Sequence, residues 1–158
     1  MIDKLTDEQR KIVLNFQETT PIDIGGLSRK FGVGAYIEDL GDEISGQIIK
    51  VQDSNDKFAI SVSQSDNKQE QRFTAAHELS HFLLHKDKIG DGIVDSPLYR
   101  STMSNKIEVE ANKLAADILM PYVKIDLAIE EGAKTLEDLA RYFDVSVQAI
   151  KVRLGIPV

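Results

Sequence analysis

The chain contains no cysteine. That excludes disulfides, thiolate metal sites and a cysteine nucleophile, and it fits the reducing cytoplasm. No apolar run approaches the roughly 18 residues that a membrane helix needs, so no membrane partner is expected. The opening Met1-Ile2-Asp3-Lys4-Leu5-Thr6-Asp7-Glu8 is charged and lacks the apolar stretch of a secretory signal. A cytoplasmic protein is therefore expected. Basic residues are in the minority, 19 Lys and Arg against 26 Asp and Glu, for a formal net charge of −7. Duplex-binding proteins usually carry a basic face, so direct DNA binding is not expected.

What is present is an ordinary globular composition, 42% hydrophobic and 28% charged over 158 residues. That length suits one domain with a small accessory piece. Thr6 and Gln9 have capping-box spacing ahead of a helical apolar pattern, which predicts a helix over about residues 5–19. A short helix over about 22–31 ends at Gly32-Val33-Gly34. Strands are expected over 35–39, 45–51 and 58–63, the last two joined by a hairpin loop at 52–57. A strong helix follows over about 71–85, then a loop over 86–104 and a helix over about 106–119 that stops at Pro121. Two helices around Asp144-Val145 close the chain. Segregated helices and strands predict an α+β fold. Its small sheet is expected to be antiparallel, since no helical crossover joins a strand pair. Residues 1–122 would form the main domain and 123–158 a C-terminal segment resembling a helix-turn-helix.

The chemistry concentrates in His77-Glu78-Leu79-Ser80-His81. On a helix, positions i and i+4 share one face, so the two imidazoles can hold one zinc ion. Glu78 points about 100° away, beside the metal, where a carboxylate can take a proton from metal-activated water. His77 and His81 are thus candidate metal ligands and Glu78 the candidate catalytic base. The plain alternative is a pair of helical histidines with ordinary hydrogen-bond partners. Catalytic zinc takes a third protein ligand, and here the residues leave a choice. His85 sits one turn too far along the axis. Glu108 and Glu110 lie on the later helix, and Glu108 shares a face with Asn112 and Ala115. Asn112 would orient a ligand from behind.

The segment from Arg72 to His85, Arg-Phe-Thr-Ala-Ala-His-Glu-Leu-Ser-His-Phe-Leu-Leu-His, closely resembles the signature of the ImmA/IrrE metallopeptidases. So does Glu108-Val109-Glu110-Ala111-Asn112 and its continuation to Pro121. The resemblance covers about residues 20–122. It implies a thermolysin-like centre with zinc on His77, His81 and Glu108 and with Glu78 as base. The spacing Glu, three residues, Asn favours Glu108 over Glu110. Departures from the family pattern are Ser80 for glycine, Ala75 for a larger residue, Leu114 for Phe and Ser63 for Asn; none falls on a proposed ligand. The resemblance implies an endopeptidase whose partner is a protein substrate, a helix-turn-helix repressor of a mobile-element or stress locus. Rival readings are a DNA-binding regulator or half of a toxin–antitoxin pair, with the zinc fold as scaffold. Candidates for a second oxyanion donor are Tyr99, Arg100, His85 and Tyr122. The strand around Ile60–Ser63 reads as an edge strand, either one open to an extended peptide or a plain one.

Overall fold

The computed structural model of the chain describes residues 1–51, 57–95 and 105–158. Helix α1 (Asp7–Phe16) starts at the expected capping box: Thr6 accepts from the Gln9 amide while the Gln9 side chain accepts from the Thr6 amide. Helix α2 (Ile24–Lys30) leads to strands β1 (Gly34–Glu38), β2 (Gly46–Lys50) and β3 (Phe58–Ser63). The long helix α3 (Lys68–His85) follows, then β4 (Gly92–Asp95), α4 (Asn105–Leu119), α5 (Tyr122–Glu130), α6 (Leu136–Phe143) and α7 (Val147–Leu154).

The fold is α+β, with a four-stranded sheet in the order β1-β3-β2-β4. The sheet is mixed, which corrects the expectation of an antiparallel one. β2 runs antiparallel to both β3 and β4, but β1 runs parallel to β3. A parallel pair was thought to need a helical crossover. Here the intervening element is β2 itself, and two reversals of direction cancel. A second correction follows. β3 is paired on both sides, so Ile60–Ser63 has no open edge; among the described residues the edges belong to β1 and β4. The loop expected over 86–104 contains a 3-10 turn at Lys86–Lys88 and the strand β4. Its remainder, like most of the hairpin loop at 52–57, lies outside the described residues.

Cross-strand neighbours Ile60, Ile48 and Ile93 are all buried and carry the sheet's contribution to the core. Against it pack Ala76, Leu79 and Leu83 of α3, and α4 covers the same helix with Leu114, Ala115 and Ile118. Leu139, Phe143 and Ile150 of α6 and α7 belong to the same buried cluster. Each buried leucine, isoleucine or phenylalanine among them contributes about 1.5–3 kcal/mol by leaving water.

Gly46 lets α3 lie this close to the sheet. A Cβ at that position would stand 2.3 Å from Thr74 Cγ2 and 3.2 Å from the Ser61 carbonyl. Two residues before Thr74 on α3, Arg72 gathers the chain. Its guanidinium donates to the carbonyls of Asp144 (3.0 Å), Ile22 (3.0 Å) and Phe143 (3.3 Å). Asp144, in the left-handed conformation with φ 54°, also takes Lys68 at 2.8 Å and Gln69 at 2.9 Å. The turn between α6 and α7 is thereby tied to α3, and Ser146 caps α7 by accepting from the Ala149 amide.

Candidate metal centre

Helix α3 places its chemistry on a buried face. Asn67 caps it by accepting from the Glu70 amide. Glycine and proline are absent from α3, so no residue type weakens it from within. Ser80, where the resembling family has glycine, is fully buried and donates its hydroxyl to the Ala76 carbonyl at 2.7 Å. That bond to the carbonyl one turn back satisfies the hydroxyl without a partner across the core.

His77, His81 and Glu108 converge between α3 and α4. His77 Nε2 lies 3.2 Å from His81 Nε2 and 3.0 Å from Glu108 Oε2, and His81 Nε2 lies 3.3 Å from Glu108 Oε1. Zinc bound at about 2.0–2.1 Å in tetrahedral geometry sets neighbouring donors about 3.3 Å apart. The donors are therefore already spaced as such an ion would need them. Asn112 takes the far side of His77: its Oδ1 lies 2.8 Å from His77 Nδ1. An amide oxygen only accepts, so Nδ1 carries the proton and a neutral His77 turns its Nε2 lone pair inward. Two imidazoles and one carboxylate, with a fourth position left open, make the donor set of a hydrolytic zinc site.

The charge balance supports the same fit. Burial works to raise the Glu108 carboxyl, but hydrogen bonds from His77 and His81 outweigh it and hold the group well below the usual carboxylate range. Burial likewise opposes a charged His77, yet its bond to Glu108 wins and raises the imidazole. A protonated His77 would stand in for a cation there. Metal binding would displace that proton.

Glu78 is fully buried, and among the described residues neither of its carboxylate oxygens has a hydrogen-bond partner. Burial pushes it up to about 8, with Asp95 and Glu108 adding to the rise and His77 opposing it. A buried carboxyl without a partner is costly, and a nearby dication would offset that cost by drawing the group toward ionisation. Asp95, on β4, brings a carboxylate oxygen within 4.8 Å of the ligand atoms of His77 and Glu78. Sequence reasoning missed Asp95, because its strand carries too short a pattern to be recognised.

Glu110 points away from the centre, to His85 at 3.4 Å and Lys4 at 3.1 Å. His85 is buried and turned toward His81 and Glu110, and Tyr122 stacks under the Arg153 guanidinium. Neither His85 nor Tyr122 therefore aims a donor at the centre. Tyr99 and Arg100 lie outside the described residues. Beside the centre runs a cleft of about 930 Å³, lined by Phe73, Thr74, Val109, Asn112, Val152 and Arg153 among others. It carries α3 and α4 residues on one wall and α7 residues on another.

The model of the Peptidase_M78 family, described as the IrrE N-terminal-like domain, matches residues 23–155. No curated protein matches the chain. A solved structure described as a Mycobacterium tuberculosis transcriptional regulator is similar in fold, with a TM-score of 0.63 and 21% identity. The likeness covers 98% of this chain but 48% of that one, so the chain spans about half the length of the regulator.

Proposed function

The chain belongs to the Peptidase_M78 family of IrrE N-terminal-like domains, and from that premise we propose that it is a zinc-dependent endopeptidase acting on a protein substrate. The substrate we propose is a helix-turn-helix transcriptional repressor, whose cleavage would change transcription of a stress or mobile-element locus. The observation that carries the reading is the convergence of His77, His81 and Glu108 beside a buried carboxyl, Glu78, that has no partner of its own.

His77, His81 and Glu108 would hold the ion, and Asn112 would keep His77 in the tautomer that ligates. Zinc, when bound, would lower the pKa of a water molecule there and polarise the scissile carbonyl. Glu78 takes the proton from that water as the new C–O bond forms, then delivers it to the departing amine as the C–N bond breaks. Its buried setting suits both steps, because a carboxyl near neutrality accepts and releases a proton with little bias. The cleft would hold the substrate on either side of the scissile bond, and β4, an edge strand, lies where an extended peptide could add to the sheet.

The rival DNA reading would use the basic residues of α7. Arg153 is already engaged: it donates to Asp117 at 2.7 Å and to the Met120 carbonyl at 2.9 Å. That engagement favours a packed, cleft-forming α7 over one laid in a major groove. The test is elemental analysis of zinc-loaded, desalted protein beside His77→Ala, followed by incubation of the loaded protein with candidate repressors. About one zinc per chain, lost in the variant, and a new repressor fragment are expected. Absence of zinc from both proteins would overturn the proposal.

A further inference from the structure

His81 spends Nε2 on the centre, and its other nitrogen is not free. His81 Nδ1 lies 3.0 Å from Nδ1 of His85, and His85 Nε2 lies 3.4 Å from Glu110 Oε1. Glu110 in turn receives Lys4 on its second oxygen at 3.1 Å. All three histidines are buried, while Glu110 and Lys4 lie toward the surface at the end of the chain.

Two imidazole nitrogens at hydrogen-bond distance share one proton, and the chain decides which owns it. An ionised carboxylate only accepts, so His85 donates to Glu110 through Nε2–H. A neutral His85 then presents a lone pair at Nδ1, and His81 must donate from its own Nδ1–H. That leaves the His81 lone pair on Nε2, the atom that faces His77 and Glu108. The opposite arrangement would turn the His85 Nε2 lone pair onto a carboxylate and put a proton on the ligating atom of His81. Without metal, Glu108 Oε1 at 3.3 Å competes for a proton on that same atom; with Glu108 engaged by the ion, the Glu110 end of the chain would select one tautomer at each ring.

We propose that Glu110 and His85 are positioning residues for the metal ligand His81, forming a carboxylate–imidazole–imidazole relay that fixes its tautomer and ring plane. The relay rests on the reading of the site as a metal centre. It complements Asn112, which fixes His77 directly from α4. Each ligating imidazole thus has its outer nitrogen held by a separate device, and α4 supplies the acceptor at the end of both. A histidine that merely filled space at the end of α3 would not need both ring nitrogens in a directed chain.

The first measurement needs no metal. Long-range ¹H–¹⁵N spectra of the zinc-free protein should show His85 protonated at Nε2, the proton that Glu110 accepts. His85 protonated at Nδ1 alone would overturn the relay. The second is zinc affinity, read by competition with a fluorescent chelator, for the wild type, His85→Leu and His85→Gln. Glutamine supplies an acceptor toward His81 and a donor toward Glu110; leucine supplies neither. We expect His85→Leu to lose roughly 10- to 100-fold in affinity and His85→Gln to stay within about threefold of the wild type. Equal affinity in all three proteins would overturn the relay. So would equal losses in both variants accompanied by equal losses in the melting temperature of the zinc-free protein, which would mark a packing role. A wild type that binds no zinc would instead sink the metal reading, and the tautomer spectra would still decide the relay.

Discussion

Replacing Glu78 with glutamine should remove a loss of stability that the metal-free wild type suffers as the pH rises. The group sits fully buried with both oxygens unpartnered. Burial, the largest cause, pushes it from 4.5 to about 8. At about 1.4 kcal/mol per pH unit, that displacement is worth about 5 kcal/mol in full. Its sign follows from proton counting. Between pH 4.5 and 8 the folded chain keeps the Glu78 proton and the unfolded chain has released it, so stability falls as pH rises. The fall from this one group should approach about 1.4 kcal/mol per pH unit and level off above about pH 8. Glutamine cannot ionise, so the variant loses this slope. It carries instead a buried amide, a pH-independent cost of about 1–3 kcal/mol. The assay is urea unfolding of chelator-treated wild type and Glu78→Gln at pH 5, 6, 7, 8 and 9. The wild type should equal or exceed the variant at pH 5 and trail it by about 2–4 kcal/mol at pH 8. Zinc should narrow the gap, because a nearby dication favours the ionised carboxylate. Stability curves that run parallel across this range would refute the reasoning, since they would mean that Glu78 meets water or a partner in the folded state.

With zinc present the same variant should keep the metal and lose proteolysis by a factor on the order of 10² or more, read as turnover of a cleaved repressor. Asn112→Ala should weaken zinc roughly 10- to 100-fold in a chelator competition, by freeing the outer nitrogen of His77. Arg72→Leu should cost about 2–4 kcal/mol in urea unfolding, since three carbonyls lose a charged donor. Leu79→Ala, at a site with no exposure, should cost about 2–5 kcal/mol by the same measurement.

The sequence disclosed most where a pattern was long and local. The capping box of α1, the two helices around Asp144-Val145 and the full extent of β3 follow from spacing alone. So did the shared face of His77 and His81, because four residues on a helix fix their own geometry. What was hidden depends on contacts between distant segments. β4 has four residues and no alternation of its own; it exists because β2 offers an edge to pair with. α5 was missed because Pro121 reads as a stop, while in the fold its carbonyl also accepts from the Lys124 and Ile125 amides and opens the next helix. The pairing of β1 with β3 is set by how the chain skips a place in the sheet, which no local pattern records. By sequence, His85 lies one turn too far along the axis to join the two motif histidines. Only the packing of α4 on α3 shows that a carboxylate two residues past Glu108 reaches it.

Gly46 gives the fold an unusual inheritance. The absent Cβ leaves room for Thr74 Cγ2, and the same point lies 3.8 Å from Glu78 Cγ. Alanine at 46 would have to push the helix that carries Glu78, so a single methyl group would act on folding and on the proposed base together. Thr74→Ser removes the methyl group that alanine would strike. The double variant should therefore lose less stability than Gly46→Ala alone, a coupling on the order of 1 kcal/mol. Positions 46 and 74 are then epistatic: drift at either is constrained by the other, and both are constrained by the placement of Glu78.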